Sequence, residues 1–182
     1  GAFGACMGAL FSNHLLRDEG LQGLRYRLFQ TGARIDLGLV LLGLWLLTLL
    51  YPGTSLFGNG DLRAVFPAPV GELHPGELFI RYEALVIGIN TIAVGLLLAL
   101  LTGRNQPVRA LFLAFIAVAL AVRTLSYGLL FSSQNRFDWL TPGAMLGLAA
   151  GVLVVLVAVM FARAVKVMLC GLALMAGTAF VN

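Results

Sequence analysis

Arg123 is the only charged residue in the seventeen-residue run FIAVALAVRTLSYGLLF, residues 115–131. An ionised group in such a run is costly unless it snorkels or finds partners, and inside a membrane it is a functional candidate by default. A guanidinium matches carboxylate and phosphate in bidentate fashion, so the chemistry it offers is anion recognition. Residues that would complete a polar pocket are Asn90, Thr91, Thr124 and Ser126, with Glu83 or Asp138 as counter-charge. The bland reading stays open beside it: a long side chain that points outward to the interface, or a purely structural pair.

Two further arginines belong to an internal echo. RYEALVIG at 81–88 and RFDWLTPG at 136–143 share Arg, an aromatic residue, an acid, Leu and Gly in register, 55 positions apart. Such repeats are common in transporter folds. Arg81, Glu83, Arg136 and Asp138 would then form a clamp for a charged headgroup. The structural alternative is equally physical. Arg and an aromatic ring anchor at a membrane interface, and an acid complements the positive end of a helix.

Reaction chemistry has little to build on. His14 and His74 fall on opposite sides of the expected membrane, and no Ser-His-Asp set or metal-ligand spacing occurs. Glu83 and Asp138 have the groups for acid–base work, but nothing around them marks a reaction. Cys6 and Cys170 both lie in apolar runs and read as small buried hydrophobes. No cofactor, no metal and no catalytic residue is expected, and the chain reads as more a non-enzyme than an enzyme.

The elements that must hold these residues follow from composition. The 182-residue chain is 60% hydrophobic and 11% charged, against about 25% charged for a soluble domain. The class expected is all-α, a polytopic integral membrane helix bundle. Six apolar segments approach the length of about 20 residues that a span needs: Gly1–Leu16, Ile35–Tyr51, Ala84–Leu101, Val108–Phe131, Leu140–Ala162 and Val165–Val181. Arg123 then lies about 12 Å below the outer end of its helix, and Asn90 about 10 Å below Glu83 on a neighbouring one.

Loop charge sets the orientation. The first, third and fifth connections carry eight cations, Arg163 and Lys166 among them, and the second and fourth carry three. Positive-inside bias places the first set in the cytoplasm and both ends of the sequence in the periplasm. The net charge of +4 is thus a topological signal, with no aromatic-interleaved basic patch for nucleic acid. Tyr51, Tyr82, Phe131, Phe137 and Trp139 fall at the outer interface.

Residues 1–16 read as the end of a preceding membrane region, since the sequence opens inside an apolar run without an initiator Met. Residues 17–34 read as a cytoplasmic amphipathic segment, with Leu21, Leu24, Leu28 and Phe29 on one face. Residues 35–182 form the membrane bundle, with an irregular outer loop at 52–83 containing Pro52, Pro67, Pro69 and Pro75. Gly143, Gly147 and Gly151 make a GxxxGxxxG ladder for close helix packing. Pro142 follows Thr141 where a first helical turn tolerates proline.

The runs LGLVLLGLWLLTLLYPGTSLFGNGDLR and WLTPGAMLGLAAGVL resemble the C-terminal half of long VanZ-like proteins. The opening GAFGACMGALFSNHL looks like the close of a VanZ domain. FDWLTPGAMLG is similar to that family's Asp–Asn–Gly-Ala motif through Asp138, Gly143 and Ala144, with Pro142 where the family has Asn. YEALVIGINTIAVG is likewise similar through Glu83, Asn90 and Gly95. The resemblance implies a bacterial inner-membrane protein with a cell-envelope lipid role and no established enzymatic reaction. The function expected is an outward-facing polar pocket for an anionic lipid or envelope intermediate, built from Arg81, Glu83, Asn90, Arg123, Arg136 and Asp138. Its alternative is a non-catalytic accessory subunit packed against a larger respiratory or photosynthetic membrane complex. The partners expected are membrane lipids or that complex.

Overall fold

The structure is a computed structural model. It describes residues 23, 27–30, 32–50, 75–103, 106–130 and 139–179. These residues are all-helical: α1 (Ala33–Thr48), α2 (Pro75–Leu101), α3 (Val108–Leu130), α4 (Pro142–Ala158) and α5 (Arg163–Ala179). The segment 1–16, nearly all of 17–26, and the loop 51–74 lie outside the described residues, as do Arg136 and Asp138.

Local chemistry explains the helix ends. At α4 the Thr141 hydroxyl accepts a hydrogen bond from the Ala144 N–H at 3.0 Å. Pro142 occupies the first helical position, where its missing N–H costs nothing. At α1 the preceding Gly32 has φ 150° and ψ 150°, a conformation that is essentially glycine-only. Its carbonyl accepts from the N–H groups of Ile35 and Asp36. Asp36 then places a negative charge in the first turn, where the helix dipole favours it. The far end of α2 is closed by chain from well upstream. Gln30 N–H donates to Leu101 O at 3.1 Å, Gly103 N–H donates to Leu28 O at 3.0 Å, and Gln30 Nε2 donates to Thr102 O at 3.1 Å. This clamp satisfies carbonyls that a helix end otherwise leaves open.

α2 is the central helix. It packs on all four others, most extensively on α4 and next on α5. Small residues set the α2–α4 distance. Gly88 faces Gly147 O across the seam, and a Cβ placed on Gly151 would meet Thr91 Cβ at 2.7 Å. At Gly147 a Cβ would run into the carbonyl oxygen of Ala84. Backbones this close gain dispersion contacts along the whole seam. The core behind it gathers Ile87, Val94, Leu98, Phe112, Ile116 and Val155.

Two helices are long and apolar enough to cross a membrane, over Phe79–Leu101 and Val108–Leu129. This corrects the expectation of six spans as far as the described residues reach. α1, α4 and α5 have 16 or 17 residues each, or about 24–26 Å at 1.5 Å per residue, short of a 30 Å hydrocarbon layer. α2 also begins nine residues before the expected Ala84, at Pro75. The N-terminal part of the helix therefore takes in ELFIRY, which composition assigns to the loop. Apolar exposure is broad: Leu125 and Leu129 on α3 are 63% and 85% exposed, and Leu37, Leu146, Leu153, Met168 and Met175 are exposed on the other helices. Water-soluble monomers rarely expose contiguous apolar patches of that kind.

Candidate functional site

Arg123 sits near the C-terminal end of α3 and is 1% exposed. Its Nη1 donates to Leu49 O, the C-cap carbonyl of α1, at 3.3 Å. Its Cζ lies 5.0 Å from the ring centroid of Tyr127, one turn along the same helix. The guanidinium thus meets the negative end of one helix dipole and the face of an aromatic ring. Both are favourable for a cation in a low-dielectric setting.

Glu83 is 6% exposed and lies against the first turn of α4, where a Cβ on Gly143 would collide with its Oε2. A carboxylate at a helix N-terminus is stabilised by the dipole there. The acid of the first echo copy thus lies against the closing glycine of the second. Glycine at 143 leaves room for the carboxylate; any larger side chain there would displace it.

Asn90 is not brought to Arg123. Its Nδ2 donates to Val86 O on its own helix at 3.0 Å, and its Oδ1 is the atom that a Cβ on Gly177 of α5 would meet at 3.2 Å. Thr91 and Thr124 likewise turn back onto their own helices, donating to Ile87 O and Leu120 O. Arg81 is exposed, and Tyr82 beside it is 39% exposed. Both suit an interface. Gly143, Gly147 and Gly151 are buried along α4.

A layer of buried polar atoms marks this end of the bundle. Glu83 Oε2, Ser126 Oγ and Trp139 Nε1 are each buried without a hydrogen-bond partner among the described residues. Ser126 follows Arg123 by three positions and shares its helix face. Trp139 precedes the Thr141 cap of α4 and packs into the core. Buried polar atoms are nearly always paired in proteins, so each such atom calls for a partner such as water or ligand.

Sequence reasoning missed the partner of Arg123, because a backbone carbonyl at a helix end has no residue-type signature. Cys170 is buried, its Sγ 3.6 Å from Ala93 O. Among the described residues no group of His, Cys, Asp and Glu could hold a metal ion.

The class defined by these features is an all-α protein with two helices fit to cross a membrane. No family model matches the chain, and no curated protein or solved structure is significantly similar to it.

Proposed function

We propose that the chain is a VanZ-like, multi-pass protein of the bacterial inner membrane whose periplasmic end receives the polar headgroup of an anionic lipid or envelope intermediate. In this reading α2 and α3 cross the membrane and both ends of the sequence face the periplasm. One observation carries the proposal: Glu83 Oε2, Ser126 Oγ and Trp139 Nε1 are buried at one end of the bundle without a hydrogen-bond partner among the described residues. In an apolar surround such atoms favour occupation by water or by the polar part of a ligand. Arg81, exposed at the same end, supplies the attraction for an anion. Arg123 acts as the brace that holds the end of α1 in place beneath it.

The test is lipid analysis of the protein purified in mild detergent. The expected result is enrichment of one anionic lipid class over the bulk membrane, lost in Arg81→Gln and in Ser126→Ala. Co-purifying lipid that mirrors the membrane, unchanged in both variants, overturns the proposal.

A second reading has its own support. Arg123 and Glu83 both engage helix termini, which makes the polar layer a means of fixing helix positions. An accessory subunit packed against a larger membrane complex needs no more than that. Cross-linking in intact membranes followed by native purification separates the two, since only the accessory subunit yields a stoichiometric protein partner.

A further inference from the structure

A cavity of about 390 Å³ opens at the end of the bundle opposite Arg123. It lies among the C-terminal ends of α2 and α4, the start of α3, the start of α5 and the clamp at 28–30. Its polar lining is Gln30, Thr102, Gly103, Arg163 and Lys166, and aliphatic side chains form the rest. Among the described residues no acid lines it.

The placement of the two cations runs against helix electrostatics. Arg163 opens α5 and Lys166 follows one turn on, with no acid in the first turn. The N-terminus of a helix is its positive end, where cations are unfavourable and anions are favoured. Neither residue forms an ion pair or hydrogen bond with a described side chain. Several carbonyls at the nearby helix ends already accept hydrogen bonds. Leu101 O and Thr102 O accept from Gln30, Leu98 O accepts from Thr102, and Val157 O and Ala158 O accept from the turn after α4. Two cations and the positive end of α5 therefore face one concavity.

We propose that this cavity binds a phosphate group, with Arg163 and Lys166 supplying the charge. A basic pocket between helices on the cytoplasmic side is the setting in which lipid headgroup phosphates are held. A soluble phosphate ester offers the same chemistry. The site stands apart from the outer polar layer and does not depend on it.

The full chain, purified in neutral detergent, is titrated with inorganic phosphate and with glycerol 3-phosphate against chloride at equal ionic strength. In parallel it is transferred to micelles containing phosphatidylglycerol or phosphatidylcholine. Thermal stability is the readout. The expected result is a rise of several degrees with at least one phosphate source over its control, reduced by more than half in Arg163→Gln/Lys166→Gln. Arg109→Gln, which removes an exposed cation from the same end, is expected to respond like wild type. A response to phosphatidylglycerol alone assigns the site to a lipid headgroup, and a response to the soluble esters assigns it to a metabolite. The proposal is overturned if no phosphate source stabilises wild type, if the double variant responds as wild type does, or if Arg109→Gln loses the response equally. Because both substituted cations lie at the protein surface, circular dichroism should show the double variant fully helical. A double variant that has lost its helices also overturns it, since the two cations would then be structural.

Discussion

Arg123 and Leu49, 74 residues apart in sequence, are joined by a 3.3 Å hydrogen bond from guanidinium to carbonyl that ties the end of α1 to α3. Removing the donor leaves a buried carbonyl unsatisfied, which costs about 1–3 kcal/mol. Arg123→Ala is therefore expected to lower stability by that amount in detergent. Arg123→Lys should fall between Ala and wild type, since an ammonium keeps charge but loses the planar fork. An Arg123→Leu protein as stable as wild type would mean that the guanidinium is no brace.

The seam between α2 and α4 predicts an asymmetry among glycines. Gly147→Ala would push a methyl group into the Ala84 carbonyl, forcing the helices apart at a cost of about 1–3 kcal/mol. Gly171→Ala meets nothing within 4 Å and should be neutral, or stabilising by up to about 1 kcal/mol through helix propensity. Paired thermal melts decide the matter, and equal shifts at the two positions would refute the close seam.

Gly32 is held at φ 150° ahead of α1 with nothing near its Cα hydrogens. Space is ample, so the penalty for Gly32→Ala is conformational, about 1–3 kcal/mol. Gly43→Ala on the same helix, also in open space, is the control and should not destabilise. If both substitutions are silent in chemical denaturation, the backbone at 32 is not the one described.

Orientation is tested by thiol labelling in intact cells. Asp61→Cys should react with an impermeant reagent and Asn105→Cys only after the membrane is opened. The reverse pattern would turn the bundle over and place the Arg163 cavity outside.

Much of the helical order is legible in the sequence, because apolar length is a one-dimensional signal. The expected segment Val108–Phe131 differs from α3 by one residue at its end, and Ile35–Tyr51 from α1 by two or three. The start of α2 is not legible in the same way. Pro75 reads as a breaker, yet at the first helical position it is a starter. The loop expected at 52–83 is therefore too long at its C-terminal end.

The candidate site divides along similar lines. That Arg123 would need a partner follows from its type and surroundings. That the partner is Leu49 O follows only from the packing of α1 on α3. Asn90 matches Arg123 in depth but turns the other way, towards α5, because depth along a helix fixes height and says nothing of azimuth. The Arg163–Lys166 cavity did carry a signal, two cations one turn apart opening a helix without an acid, but positive-inside bias accounts for the same residues and masks it.

The clasp between α1 and α3 has a mechanical consequence. These helices meet through the stacked rings of Trp45 and Phe115, 5.8 Å between centroids and 25° apart in plane, and through Arg123 at the end of their seam. Neither helix is bound to α2 as extensively as α4 is. The bundle thus has a stiff half, α2 with α4 and α5, and a lighter half riding on it. Local opening follows such divisions of contact density. Amides of α1 and α3 should exchange with solvent before those of α2 and α4. They should also do so together, because a helix latched at two points can leave only with its neighbour.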